Sequence, residues 1–163
     1  MIVALYLGAI VAANLSVAAF GPGISIVNAF LFIGFDITAR DRLHRAWEGR
    51  DLWPRMALLI AAGGAISWLL NRDAAQIAVA STVSFVAAGA LDAAVYSLLG
   101  GRSWFTRVQG SNVVSSAADS LIFPTLAFGS LLPLIVLGQF AAKVAGGLLW
   151  SLVLVVPQRR RAA

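Results

Sequence analysis

The stretch SNVVSSAADSLIF, residues 111–123, is apolar enough for a membrane helix, yet it contains an asparagine, four serines and an aspartate. Asn112, Ser116, Asp119 and Phe123 recur at helical spacing, so they share one face of a helix. An ionisable group at the centre of a bilayer costs about 3 kcal/mol on insertion scales. We therefore expect Asp119 to face the inside of a helix bundle and to have a polar partner there.

The composition of the whole chain supports a membrane location. Of 163 residues, 60% are hydrophobic and only 12% are charged, which is more apolar surface than a soluble domain of this size can bury. Cysteine is absent and His44 is the single histidine, so neither a disulfide framework nor a metal site is expected. The arginines flank apolar segments, which favours a role in membrane topology over nucleic-acid binding.

Six apolar segments are separated by polar or helix-breaking residues. The segments cover residues 2–20, 24–38, 55–70, 74–99, 111–129 and 132–156. The triplet Gly21-Pro22-Gly23 ends the first, residues 100–110 read as a polar loop, and Asp73 is a plausible N-cap for the fourth. The second and third segments are shorter than the ~20 residues of a spanning helix, so each is expected to be tilted or re-entrant. The sequence predicts an all-α integral membrane protein, a six-transmembrane-helix bundle in a single domain over residues 1–163.

The positive charges predict the orientation of this bundle. The chain has 12 Lys and Arg; five arginines lie in residues 39–55, two in 100–110 and three in 157–163. Six crossings place these three regions on one side of the membrane, so the positive-inside rule puts both termini in the cytoplasm. Residues 1–20 lack a positively charged start, so a cleaved signal peptide is not expected. The expected location is the inner (plasma) membrane, as a multi-pass protein.

Small residues repeat every four positions on two segments, where they allow helix backbones to approach closely. We expect internal packing of the bundle, and the alternative is docking to a partner membrane subunit. The two sets are Ala4, Gly8 and Ala12, and Gly138, Ala142 and Gly146.

Polar residues on several segments also lie on single helical faces, which predicts that they surround a shared polar cavity. These faces carry Asn14; Asn28, Phe32 and Asp36; Phe85, Asp92 and Tyr96; and Gln139, Lys143, Gly146 and Trp150. Three alternatives stay open: an Asp119–Lys143 ion pair that only fixes packing, a proton relay, and an aspartyl pair of Asp92 with Asp119.

The serines of the fifth segment are expected to bond to carbonyl groups of their own helix. These are Ser115, Ser116 and Ser120. Because His44 lies in a loop, serine catalysis has little support, and neither an enzyme nor a cofactor is predicted.

These segments resemble a known family. SNVVSSAADSLIF followed by QFAAKV (139–144) is similar to the pattern S-N-x-x-S-x-x-x-D-[ST]-x-x-F then Q-x-x-x-K of the queuosine precursor transporters, also called the vitamin uptake transporter family. FLFIGFDITARDRLH (30–44), ALDAAVYSLLGGR (90–102) and AANLSV (12–17) resemble its second, fourth and first segments. The resemblance implies a six-helix importer of 7-deazaguanines such as preQ0, preQ1 or queuine. It also implies a substrate site formed by Asp119, Asn112, Gln139, Lys143, Asn14, Asn28 and Asp36.

The chemistry of such a flat base fits these residue types. A carboxylate accepts two adjacent N–H groups side by side, which makes Asp119 the candidate for the lactam N–H and the exocyclic amine. Amides serve the remaining edge, and Phe123, Phe32 or Trp150 offer stacking surfaces.

Transport is the first hypothesis for function, with a nucleobase-like solute and the lipid bilayer as partners, no nucleic acid, and a possible homodimer. One alternative is the substrate-capture subunit of an energy-coupling-factor vitamin importer. Another is a structural membrane subunit without transport activity.

Overall fold

In the computed structural model of this protein the described residues are 2–33, 35, 43 and 52–159, and all secondary structure among them is helical. Six helices follow each other along the chain. They are α1 (Ile2–Phe20), α2 (Ile24–Asn28, continued by a π-helical turn, Ala29–Ile33), α3 (Leu52–Leu70), α4 (Ala75–Leu98), α5 (Trp104–Phe128) and α6 (Pro133–Arg159). Within the described residues, the predicted segments correspond to these helices in number and order.

Glycine conformations explain two of the boundaries. Gly21 has φ +76° and Gly129 has φ +68°, values in the left-handed region that an L side chain rarely adopts. Gly21 therefore ends α1 before Pro22, and Gly129 ends α5 before the short connection to α6. The predicted end of the first segment at Phe20 is confirmed.

Three predicted boundaries are wrong. The third segment begins at Leu52 and not at residue 55, so α3 has 19 residues and is close to the length of a spanning helix. Residues 100–110 are not a loop throughout, because α5 begins at Trp104, where the Ser103 hydroxyl accepts a hydrogen bond of 3.2 Å from the Thr106 N–H. Asp73 is not the cap before α4. Asn71 instead adopts an extended conformation, and its side-chain oxygen accepts a 3.0 Å bond from the Asp73 N–H at the start of a 3₁₀ turn, Arg72–Ala74.

The helices pack closely where glycines lie in the contact. A Cβ atom on Gly138 would lie 2.6 Å from Ile26 Cδ1, and one on Gly146 would lie 2.5 Å from the Phe30 carbonyl oxygen, so α6 lies directly against α2 and its π-helical turn. Internal packing is therefore confirmed for Gly138 and Gly146. It is wrong for Gly8, which is exposed and has no heavy atom within 4 Å of a Cβ position.

Apolar side chains cover the outside of the bundle, and polar ones fill much of its inside. Phe20, Leu58, Leu98 and Leu134 are exposed, while fifteen of the described polar or charged residues are buried. Among the described residues, three helices are long and apolar enough to cross a membrane: Val3–Phe20, Arg72–Leu98 and Pro133–Trp150. This distribution is the reverse of a soluble domain and is typical of a bundle surrounded by lipid.

Candidate functional site

Asp119 of α5 and Lys143 of α6 form an ion pair inside the bundle. The Lys143 Nζ atom lies 2.7 Å from Asp119 Oδ2, and the two side chains are 2% and 8% exposed, respectively. The other carboxylate oxygen, Oδ1, accepts a 2.5 Å hydrogen bond from the Ser84 hydroxyl of α4. Three helices are thus joined at one carboxylate, and the predicted polar partner of Asp119 is observed.

The ammonium group of Lys143 uses all three of its N–H donors. Besides Asp119, it donates to Ser120 Oγ at 3.1 Å and to Gln139 Oε1 at 3.0 Å. Burial of a lone ammonium costs several kcal/mol, and complete pairing of this kind is what makes it tolerable. The network therefore stabilises a charge that the bundle could not otherwise hold.

Gln139 carries the network onward to the second helix. Its Nε2 donates to Ser25 Oγ at 2.8 Å, and the Ser25 hydroxyl in turn donates to the Pro22 carbonyl oxygen at 2.5 Å. The chain of hydrogen bonds from Ser84 to Pro22 thus crosses α4, α5, α6 and the start of α2. A movement of any one of these helices changes the surroundings of Asp119.

Two asparagine side chains form hydrogen bonds between α1 and the helices α2 and α3. Asn14 Nδ2 donates to Ser67 Oγ of α3 at 3.1 Å. Asn28 Nδ2 donates to the Ala13 carbonyl at 3.2 Å and to Ser16 Oγ at 2.7 Å. These bonds align polar groups of α1 and α2 beside the ion pair.

A cavity lies at the meeting point of α1, α2, α4, α5 and α6. Its volume is about 30 Å³, room for about two water molecules. Six predicted site residues line it: Asn14, Asn28, Asp119, Phe123, Gln139 and Lys143. The prediction that polar faces converge on one cavity is confirmed for these six, and their role in binding a substrate stays a prediction.

The cavity also has an apolar wall. Ile10 and Val17 of α1 and Phe85 of α4 line it together with Phe123, whose ring packs edge-on against Phe128 with 6.2 Å between the centroids. The cavity is therefore bordered both by apolar side chains and by hydrogen-bonding groups.

Two predicted site residues in the described part of the chain do not line the cavity. Asn112 is buried but lies elsewhere, and Trp150 packs edge-on against Phe35 with 5.4 Å between the ring centroids. A further predicted residue, Asp36, lies outside the described residues.

The three serines of α5 that were expected to bond to carbonyl groups of their own helix do not all do so. Ser115 Oγ donates to the Asn112 carbonyl of its own helix at 3.3 Å, as predicted. The prediction is wrong for Ser120, which accepts from Lys143, and for Ser116, whose hydroxyl has no partner among the described residues.

The sequence interpretation missed Ser84 and Ser25, which complete the network. Ser81, Ser84, Phe85 and Asp92 share a face of α4 at helical spacing, so that pattern would have identified Ser84. Ser25 follows the helix break directly, and nothing in its spacing distinguishes it from an ordinary capping residue.

Within the described part of the chain no group of three or more His, Asp or Glu side chains is placed to hold a metal ion.

Comparison with known proteins gives one match. Residues 2–156 match a family model described as "Putative vitamin uptake transporter". No curated protein and no solved structure matches the chain.

Proposed function

This chain belongs to the vitamin uptake transporter family, and on that premise we propose that it is a membrane transporter, not an enzyme, that imports a 7-deazaguanine precursor of queuosine such as preQ0, preQ1 or queuine. The observation that carries the proposal is the buried Asp119–Lys143 pair on the wall of a central cavity. The resemblance of residues 111–123 and 139–144 to the queuosine precursor transporters supports the choice of substrate.

The proposed topology has six crossings with both termini in the cytoplasm, and one transport domain over the whole chain. Its support is the placement of ten Lys and Arg in residues 39–55, 100–110 and 157–163, on one side of such a bundle. Arg72 lies on the opposite side, where its guanidinium covers the Trp68 ring at 3.8 Å. A Trp and an Arg at a helix end are typical of an interface between membrane and water.

Recognition of the base follows from the groups on the cavity wall. The lactam N–H and exocyclic amine of a 7-deazaguanine donate to the Asp119 carboxylate, which has an oxygen for each. The base carbonyl accepts from the second N–H of Gln139 Nε2, whose other N–H bonds to Ser25, or from Lys143 if the base replaces one of its three present acceptors. Phe123 and Phe85 border the same cavity and offer faces for stacking.

The cavity is small for this task. Sites for small molecules enclose roughly 300–1,000 Å³, whereas this cavity holds about 30 Å³. In the proposed mechanism the helices therefore move apart before a solute enters. Lys143 and Ser84 both bond to Asp119 in the present arrangement, so neither charge of the pair is buried without a partner.

One observation favours the alternative of an energy-coupling-factor capture subunit. Ala4 and Gly8 are exposed on the outer surface of α1, where a partner helix would be able to approach closely. Transport by the purified chain alone in liposomes contradicts this alternative. Binding without transport, together with co-purification of an ATPase module, supports it.

The experiment is uptake of radiolabelled preQ1 into liposomes that contain the purified chain. We expect the unmodified chain to accumulate label and Asp119→Asn to abolish uptake. Asp73→Asn is the matched control, since it makes the same chemical change at an exposed position between helices, and it should transport normally.

Two results would contradict the proposal. If the unmodified chain neither transports nor binds any 7-deazaguanine, the substrate is wrong. If Asp119→Asn transports at the normal rate, Asp119 is a packing residue only.

A further inference from the structure

A second group of buried polar atoms lies apart from the central cavity. Asp92 Oδ1, both amide atoms of Asn112, the Ser116 hydroxyl and the Trp150 indole N–H have no hydrogen-bond partner among the described residues. Asp92 and Asn112 are each 7% exposed and Ser116 is 3% exposed. None of the four residues lines the cavity beside Asp119.

The register of α4 on α5 brings Asp92 to the level of Asn112. The Arg107 guanidinium of α5 lies 3.8 Å over the Tyr96 ring of α4, and its Nε donates to the Tyr96 carbonyl oxygen at 3.2 Å. Asp92 precedes Tyr96 by four residues, and Ser111 follows Arg107 by four. Because the two helices run antiparallel, Asp92 lies level with Ser111, next to Asn112.

The register of α5 on α6 adds Trp150 to the same level. Asn112 precedes Asp119 by seven residues, and Trp150 follows Lys143 by seven. The ion pair fixes Asp119 against Lys143, so Asn112 and Trp150 both lie about 10 Å from it at 1.5 Å per residue. Ser116 is one turn from Asn112 on the same face, between this level and the pair.

This cluster is unusual, because native proteins leave few buried polar atoms without hydrogen-bond partners. The other buried polar residues around Asp119 are joined in a continuous network, whereas here five atoms on three helices have no partner among the described residues, four of them at the level of Asn112 and the fifth, Ser116 Oγ, one turn away. Together they offer two donors, from Asn112 and Trp150, two acceptors, from Asn112 and Asp92, and one hydroxyl that can do either. A primary amide pairs with a lactam edge, and a neighbouring carboxylate accepts from an amine.

We infer that Asp92, Asn112, Ser116 and Trp150 form a second binding station for the transported solute, a planar heterocycle with a lactam edge and an adjacent amine. The inference rests on the proposed function and deepens it. The station lies toward the end of the bundle that carries Arg107 and the C-terminal end of α6, the cytoplasmic side in the proposed topology. The solute leaves Asp119, pairs with Asn112 and Asp92, and then enters the cytoplasm.

The first test uses the natural absence of cysteine in this chain. Ser116→Cys provides the single thiol, and Val114→Cys is a control on the lipid-exposed surface of α5 at nearly the same depth. Each variant in inside-out vesicles is treated with a charged, membrane-impermeant methanethiosulfonate reagent. We expect labelling of Ser116→Cys and none of Val114→Cys, because a thiol reacts only where water reaches it. An unreactive Ser116→Cys overturns the station.

The second test separates solute binding from structure. Asn112→Leu keeps the side-chain size and removes two unpaired polar atoms, so the melting temperature should stay the same or rise. Uptake of preQ1 should fall at least tenfold, and preQ1 should slow the labelling of Ser116→Cys severalfold. Normal uptake by a folded Asn112→Leu, or labelling that preQ1 does not slow, overturns the inference.

These results are distinguishable from failure of the proposed function. If the unmodified chain does not bind or transport any 7-deazaguanine, the substrate assignment fails. Labelling of Ser116→Cys without added solute then still decides whether water reaches this level of the bundle. If the thiol is labelled, the result supports a binding station for another polar solute. If the thiol is not labelled, the inference of a second station is overturned.

Discussion

Lys143 Nζ lies 2.7 Å from Asp119 Oδ2, and the same ammonium holds Ser120 and Gln139, so one buried cation organises polar groups from two helices. The pair sits at a contact between α5 and α6 and borders the central cavity at the same time. The position of these residues is therefore compatible with both a packing role and a binding role. The two roles predict different stability and uptake for the variants below.

Removal of one partner of the pair should destabilise the protein more than removal of both. Lys143→Met leaves the Asp119 carboxylate buried without a cation, which lowers the free energy of unfolding by about 3–5 kcal/mol. The double variant Lys143→Met with Asp119→Leu should recover most of this loss, because no buried charge remains. Thermal unfolding in detergent measures both.

Arg72→Met is the matched control for this comparison. It removes a cation that contacts Trp68 at an exposed position, so the expected loss is at most about 1 kcal/mol. The double variant should remain inactive in uptake even when its stability is restored. Normal uptake by that variant would leave the pair with a packing role only.

Ser84 should matter to the site because its hydroxyl donates to Asp119 at 2.5 Å. Ser84→Ala removes a hydrogen bond to a charged group, so we expect a loss of about 1–3 kcal/mol in the free energy of unfolding. Ser97→Ala is the control on the same helix, where an exposed hydroxyl bonds to the Ala93 carbonyl oxygen at 2.8 Å. Equal melting temperatures for the two variants would show that the Ser84 bond contributes nothing.

Gly146 should not accept a larger side chain. A Cβ atom there would lie 2.5 Å from the Phe30 carbonyl oxygen, which is backbone and unable to move aside cheaply. Gly146→Ala is expected to separate α6 from the π-helical turn and to destabilise by about 1–3 kcal/mol. Gly89→Ala, within α4 and with open space at the Cβ position, should be neutral or stabilising by up to about 1 kcal/mol. A melting temperature for Gly146→Ala at or above that of Gly89→Ala would contradict the close contact.

Some features of the structure were predictable from the order and spacing of residues in the sequence, and others were not. Gly21 and Pro22 interrupt any helix, so the end of α1 was predictable to the residue. The Asp119–Lys143 pair was foreseen because a charge inside an apolar helix needs a partner, and few candidates exist. The helical turns before residue 111 were missed because Thr106, Arg107 and Gln109 are polar, which hides a helix end in a hydropathy pattern. That the Asn112 amide has no partner among the described residues was also not predictable, because it depends on which side chains the neighbouring helices place at that level.

The corrected start of α5 is itself testable. Ser103 caps this helix through the Thr106 N–H, so Ser103→Ala should cost about 0.5–2 kcal/mol. Ser103→Asp keeps an oxygen in place for the same N–H and should retain stability. Hydrogen exchange at the Thr106 amide should accelerate in the alanine variant alone. Equal exchange in all three proteins would mean that the cap is not formed.

The exocyclic amine of the solute should determine its affinity, if Asp119 accepts from it as proposed. A 7-deazahypoxanthine has the same ring system without that amine, and it would leave one carboxylate oxygen without its donor. Loss of a hydrogen bond to a charged group corresponds to about 1.5–3 kcal/mol, so affinity should fall about 10–100-fold relative to 7-deazaguanine. In Asp119→Asn the two ligands should bind with almost equal affinity, because the variant lacks the carboxylate that accepts from the exocyclic amine. The comparison therefore isolates the contact between the amine and Asp119, as a double-mutant cycle does. Ligand-induced rise in melting temperature measures all four combinations. Equal affinity of the unmodified protein for both ligands would place the amine away from Asp119.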